Sequence, residues 1–403
     1  MAKATALAPL LAVRKASRSA GPPHLGLVMG GGGARAAYQV GFLRFVAQRF
    51  PELRVPYITG VSAGAINAAL LASHHGTFLQ AVQELSHLWA NLTIPDVFRV
   101  DIRSLAANGF RWACQLGSGG IGHRQVRGLV DTTPMRSYLT EVLHAVDGEL
   151  TGVSSNLEHG RLKAVALSTT SYTTGKSVTW VQGSEIHEWE RPQREARSTK
   201  ITVDHIMASA ALPLVFPAIQ LDNAWYGDGG MRLTAPLSPA LHLGARRIIA
   251  VSTRYAPSPD VVEEDAIRGY PPPAQVVGML LNSVFLDLLD NDAYRLERLN
   301  GLLERLPEAE RGGLRLVKLL TLRPSQDLGK LASDFEAQLP KSFRFLTRGL
   351  GTKETKSPDF LSLVLFQPDY LRLLIEIGEA DATDRSDEIE EFLRSDDDSE
   401  DGS

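Results

Sequence analysis

Gly60-Val61-Ser62-Ala63-Gly64 sets a hydroxyl between two glycines, each two positions away. A serine in this G-x-S-x-G spacing, on a sharp turn from strand to helix, is a nucleophile elbow. The glycines are needed because neighbouring backbones approach closely. The following helix N-terminus favours negative charge developing at the seryl oxygen. The bare pattern recurs by chance, but here it sits between an apolar run and an alanine-rich stretch, Ala65 to Ala72. A second glycine cluster, Gly30-Gly31-Gly32-Gly33-Ala34-Arg35, lies upstream. As a phosphate cradle that cluster fails. It lacks the Gly-Lys-Ser/Thr of a P-loop, and G-x-G-x-x-G finds no register in it. It can instead aim backbone N–H groups at an oxyanion beside Ser62. Arg35 then either anchors the loop or neutralises a substrate phosphate.

A seryl nucleophile needs a base. The order Ser62, Asp228, His242 is that of an α/β-hydrolase triad. His242, however, lies in a helical run, Leu237 to Gly244, leading into a core strand, where a structural histidine is expected. That triad fold also has several strands before its elbow, whereas only two apolar strand-like runs precede Ser62 here. Asp228 follows Trp225-Tyr226-Gly227 and precedes Gly229-Gly230, a tightly turned acid that no structural need explains, beyond capping its own turn.

These residues need elements to hold them. Leu25 to Met29 reads as a buried strand, Ala34 to Phe50 as a helix, Val55 to Thr59 as the strand before the elbow, and Ala65 to Ala72 as a buried helix. Residues 76–145 look mainly helical, with a glycine-rich break at 117–122. Strands are expected at Leu162–Leu167, with Val178–Val181 as a pairing partner, at Arg246–Ser252, and at an edge, Leu314–Leu322. Helices are expected over Val203–Ala211, Gln275–Leu306, Gln326–Gln338 and, last, Pro368–Ile377. Alternating strands and helices imply a mostly parallel sheet covered on both faces.

The chain has 403 residues, 44% hydrophobic and 22% charged, enough for a large core. One cysteine, Cys114, excludes an internal disulfide and any multi-cysteine metal site, which suits a reducing, cytoplasmic setting. Residues 381–403 carry eleven acids and two bases, so a chain of net charge −4 has +5 over residues 1–380. The acidic end is expected to be disordered, residues 1–21 a flexible leader, and 22–380 one domain. No dense basic patch with interleaved aromatics supports nucleic-acid binding. Val276, Leu280, Val284 and Leu288 fit a buried helix, a wall of an acyl channel, or a face dipping into a membrane interface.

In order, Gly31-Gly32-Gly33-Ala34-Arg35 with Tyr38-Gln39-Val40-Gly41, Gly60-x-Ser62-x-Gly64, Ala208-Ser209-Ala210-Ala211-Leu212-Pro213 and Asp228-Gly229-Gly230 resemble the patatin-like phospholipases. Leu365-Phe366-Gln367-Pro368-Asp369-Tyr370 is similar to a late segment of bacterial members. The resemblance implies a three-layer α/β/α fold and a Ser–Asp dyad without histidine. Ser62 would be the nucleophile, Asp228 the base, and the Gly31 to Arg35 loop the oxyanion hole. It further implies phospholipid or related acyl-ester substrates and no metal or cofactor. One position departs: Ala36 stands where the family usually has glycine. Alanine is tolerated there if the residue is helical, with negative φ.

Overall fold

The computed structural model describes residues 24–99, 128–255 apart from 185 and 187, 276, 278–280, 283, 288–339 and 359–394. The leader, Cys114, the break at 117–122, the connection 256–273 and the acids at 396–401 lie outside the described residues. In chain order, β1 (Leu25–Met29) leads through a 3₁₀ turn (Gly33–Ala36) into α1 (Ala37–Arg49), and β2 (Tyr57–Val61) into α2 (Ala63–Ser73). Then come α3 (Phe78–Asn91), α4 (Ile94–Val97), α5 (Thr133–Val142) and α6 (Thr151–Glu158). Strands β3 (Ala164–Ser171), β4 (Ser177–Gly183), β5 (Glu190–Arg191) and β6 (Arg194–Ser198) precede α7 (Val203–Ser209). Next are β7 (Ile219–Leu221), β8 (Ala224–Asp228), α8 (Ser238–Leu243), β9 (Arg247–Val251) and α9 (Leu288–Leu303). The last are β10 (Lys318–Leu322), α10 (Leu328–Ala332), α11 (Asp359–Val364), α12 (Pro368–Asp384) and α13 (Ser386–Arg394).

One sheet runs in the order β10-β9-β1-β2-β3-β4-β6-β5. From β10 to β3 every pairing is parallel. Its central strands β1, β2 and β9 are buried at every position, as strands covered on both faces must be. The expected mostly parallel sheet with helices on its faces is therefore present. β10 is its edge strand, with Lys318 exposed, and it begins at Lys318 rather than at Leu314. The strand before the elbow is shifted from expectation. It runs from Tyr57 to Val61, because Val55 and Pro56 only approach the sheet, and it delivers Ser62 directly at its end.

The acidic end departs most from expectation. The boundary at 380 falls inside α12, Pro368–Ile377 is not the last helix, and residues 386–394 are helical rather than disordered. Net charge concealed an apolar stripe: Ile389 and Leu393 are buried at i, i+4 spacing while the acids face outward. Arg49 and Arg394 pair with Glu390. α12 itself lies flush on α1. A Cβ on Gly378 would meet the backbone of Tyr38, one on Gly41 the backbone of Ile375, and Tyr38 donates to Asp381 Oδ2 at 3.0 Å.

Candidate active site

Strand β3 is the template on which the site assembles. β2 pairs in parallel along one edge of it, ending with Val61 opposite Ser168. β8 runs antiparallel to β3 and places Asp228 opposite Thr169, the next residue. Thr169 and Thr170 also pair with β4 on the other edge, so β8 occupies the same edge as β2, beyond its end. The two strands thus point at each other head to head. The residue leaving β2 is Ser62, and the residue ending β8 is Asp228. Two segments 166 positions apart in sequence meet because adjacent residues of a third strand hold them.

Ser62 adopts φ 57°, ψ −132°, outside the ordinary regions for a side-chain-bearing residue. Such a conformation costs on the order of 1–3 kcal/mol and persists where its surroundings over-determine it. The surroundings do so here. α2 crosses so near β1 that a Cβ on Gly64 would collide with the carbonyls of Met29 and Gly30. A Cβ on Gly60 would stand 2.7 Å from Ala68 Cβ.

Ser209 at the end of α7 is a further anchor. Its fully buried hydroxyl accepts from Ser62 N–H at 3.0 Å and donates to the Ser168 carbonyl at 2.7 Å. The same segment accepts from the Asp228 N–H through the Ala211 carbonyl at 3.1 Å, and Thr170 Oγ1 donates to the Asp228 carbonyl at 2.8 Å. Ser209 lies in the motif quoted above, but nothing in its spacing assigned it this position. Ser209→Ala is expected to lower kcat about tenfold with KM little changed, the size of effect that follows from one lost buried hydrogen bond. Equal loss in kcat and in thermal stability with Ser209→Thr failing to restore kcat would contradict a positioning role.

Asp228 is completely buried. Its Oδ1 accepts from Gly230 N–H at 2.9 Å. Its Oδ2 is a buried acceptor with no hydrogen-bond partner in the fold. Burial pushes the carboxyl up from 3.8 to about 7, against the opposing pull of the Ser62 hydroxyl and the Gly230 N–H. A base of that strength suits proton abstraction near neutrality. Among the described residues no histidine hydrogen-bonds to either side chain. His242 Nδ1 lies 2.8 Å from the Ser238 carbonyl, and its ring stacks on Trp189 at 4.6 Å, the structural role expected of it.

The glycine loop runs beside the serine. A Cβ on Gly31 would lie 3.1 Å from Ser62 Cβ and 3.7 Å from Ser62 Oγ. Its carbonyls at Gly30, Gly31 and Gly32 each have a donor. Gln39 Nε2 donates to Gly30 O at 2.9 Å, Thr253 Oγ1 to Gly31 O at 2.6 Å, and Arg35 N–H to Gly32 O at 3.0 Å. In a trans peptide the N–H points opposite the preceding carbonyl, so these three bonds turn the N–H groups of Gly31, Gly32 and Gly33 away from the scaffold. Gly32 at φ 145° and Gly33 at φ 55° need glycine. Ala34 follows within the 3₁₀ turn, and Ala36, at φ −64°, is helical, so the family's missing glycine does not disturb the turn. Asn67 steadies Gln39 at 2.9 Å and accepts from Trp89 at 2.6 Å. Gln39, Asn67 and Thr253 escaped sequence reasoning, since each acts through contacts between distant segments.

Arg35 is an anchor, not a phosphate contact. It is 3% exposed, with Nε 2.6 Å from Ser362 Oγ and a guanidinium nitrogen 2.6 Å from Asp359 Oδ1. It pins the loop to α11, which leaves no face for a substrate.

From Ser62 an apolar slot of about 70 Å³ runs into the helical layer. Ala63, Ile66 and Leu70 supply one face of α2, and Leu85, Trp89 and Leu139 close around it from α3 and α5. Gly32, Gly33, Phe216 and Leu363 line the slot near the loop. The described residues of the segment beginning at Val276 are not in its wall. Val276 and Leu280 are 45% and 60% exposed, against a buried or channel-wall role for these two positions, and Val284 lies outside the described residues. Residues 276, 278–280 and 283 are helical, as is α9, all within the expected Gln275–Leu306.

A family model described as Patatin-like phospholipase matches residues 27–241, just over half of the chain. No curated protein matches the sequence. Among solved structures, VipD from Legionella pneumophila is 13% identical, with a TM-score of 0.35 over 86% of this chain and 67% of its own. Human GIVD cytosolic phospholipase A2 in complex with methyl gamma-linolenyl fluorophosphonate is 14% identical, with a TM-score of 0.44 over 92% of this chain and 59% of its own. The human enzyme without ligand is 12% identical, with a TM-score of 0.46 over 92% and 62%. The chain thus spans about three fifths of the human structures it resembles.

Proposed function

The chain belongs to the patatin-like phospholipase family, and from that premise we propose that it is a serine hydrolase of phospholipid or lysophospholipid acyl esters, working through Ser62 and Asp228 without histidine. The observation that carries this reading is the meeting of β2 and β8 head to head on β3, which sets a strained serine against a buried carboxyl held near 7. Ionised Asp228 accepts the proton of Ser62 Oγ as that oxygen attacks the ester carbonyl. The oxyanion faces N–H groups of the Gly31 to Ala34 loop, each donor being worth roughly 3 kcal/mol. The alcohol leaves with the proton from Asp228. Water then gives a proton to the same carboxylate and attacks the acyl-enzyme, and Asp228 returns that proton to Ser62 Oγ as the fatty acid leaves. The apolar slot takes the acyl chain. No metal or cofactor enters these steps. Stoichiometric labelling of Ser62 by an alkyl fluorophosphonate, with hydrolysis of phospholipid or lysophospholipid, tests the reading. An unlabelled Ser62 in folded protein would end it.

A lipid substrate presents itself at a surface, and the slot is rimmed by exposed apolar residues. Leu214, at φ 67° and 66% exposed, projects between Leu212 and Phe216, which both line the slot. On the α11 side, whose Leu363 and Val364 also line it, a Cβ on Gly278 would lie 3.2 Å from Asp359, next to exposed Met279 and Leu280. No described helix is long and apolar enough to cross a membrane. The protein would therefore meet lipid peripherally, through these rims. Leu214→Asp and Leu280→Asp should each weaken flotation with phosphatidylcholine–phosphatidylglycerol liposomes about tenfold, the value of one buried leucine. Wild-type flotation in both would remove the membrane contact.

A further inference from the structure

The acyl slot ends at a wall one residue thick. Leu70 near the end of α2, Val142 at the end of α5 and Leu143 just after it face the slot on one side. On the other side they face a second space, of about 180 Å³, whose walls include Ser73, His74, Glu84 and His144. Leu70 and Leu143 are 3% and 5% exposed, and His74 Nε2 stands 3.2 Å from Glu84 Oε2 across the second space. One chamber is almost wholly apolar. The other is lined by imidazoles, a carboxylate and hydroxyls.

Resting on the hydrolase reading above, we propose that Leu70, Val142 and Leu143 form a partition that sets the acyl-chain length the site accepts, selecting esters of straight, medium-length chains. The slot follows one face of α2, where Ala63, Ile66 and Leu70 recur at i, i+3 and i+7. From Ala63 to Leu70 that face advances about 10 Å at 1.5 Å per residue. Each methylene laid along it leaves water for an apolar wall. The methylene after Leu70 and Leu143 meets a different medium, because entering the second chamber would strip water from His74 and Glu84 without replacing its hydrogen bonds. The gain per methylene therefore stops at the partition rather than fading gradually. At about 70 Å³ the slot has room for one chain rather than two.

Binding reads this out without turnover. Straight-chain fatty acids from butanoic to octadecanoic are titrated calorimetrically into the wild-type chain. Affinity is expected to rise about fourfold per methylene and then level off. In Leu70→Ala and Leu143→Ala the levelling moves to longer acids, and the first acid past the wild-type limit gains about fourfold. Leu320→Ala, an equally buried leucine on β10 that lines neither chamber, keeps the wild-type limit. If either partition variant does not fold, Val142→Ala makes the same opening by a smaller deletion. A limit identical in wild type and folded partition variants, or affinity that climbs without levelling in the wild type, would overturn the partition. Absence of ester hydrolysis would instead sink the hydrolase reading and leave these titrations interpretable.

Discussion

Ser62→Ala and Asp228→Asn are each expected to cut hydrolysis of a p-nitrophenyl acyl ester by about 10⁴-fold or more, the loss seen when a member of a serine hydrolase's catalytic unit is removed. Two features make the effect large. No histidine among the described residues stands ready to substitute, and Asp228 sits opposite Thr169 on β3, one position beyond Ser168, which faces Val61. Without either member, only the loop donors and the slot remain. The double variant should be no worse than the poorer single one, because the two act as one unit. Circular dichroism should show both single variants folded. Turnover near wild type in either one would refute the dyad.

Asp228→Asn should also make the protein more stable at pH 8 while destroying its activity. The carboxyl stands at about 7 in the fold against 3.8 ordinarily, with burial as the main cause. The folded state therefore holds a proton between those values that the unfolded chain has released. Its contribution favours folding below about pH 4, declines as pH rises, and is lost once pH passes about 7. Above that, the fold carries a buried charge. The gap corresponds to at most roughly 4 kcal/mol, which the neutral amide avoids while still accepting from Gly230. Melting at pH 8 should be higher for Asp228→Asn than for wild type, and the difference should shrink toward pH 5. In the active enzyme the same ionisation produces an acid limb in kcat/KM with a midpoint near 7. Equal melting temperatures at pH 8, or a rate independent of pH between 5 and 8, would show that the carboxyl titrates normally.

Such a carboxyl illustrates why catalysis opposes stability. A solvated aspartate would cost the fold nothing and would be too weak a base. Burial supplies the basicity and removes the stability by one and the same desolvation.

Much of the site was legible in local pattern. Gly60, Ser62 and Gly64 identified an elbow, because tight turns between a strand and a helix tolerate few residue types. The four glycines from Gly30 marked a loop whose backbone must approach something. The acidic end was misread for an equally physical reason. Composition registers charge, whereas Ile389 and Leu393 fold through position, four residues apart on one helical face. Arg35 could be narrowed only to an anchor or an anion contact, since the choice depends on whether Asp359 and Ser362, more than 320 positions away, reach it first.

The order of short-range periods in the sequence determined the class of fold, the elbow and the loop, because strands, helices and turns answer mainly to neighbours a few residues away. The meeting of the ends of β2 and β8, the stapling by Ser209, the proton affinity of the carboxyl and the lining of the slot were decided in three dimensions. Each depends on which edge of β3 receives β8 and on how much water the packed helices exclude, and both are properties of contacts between segments that local pattern does not encode.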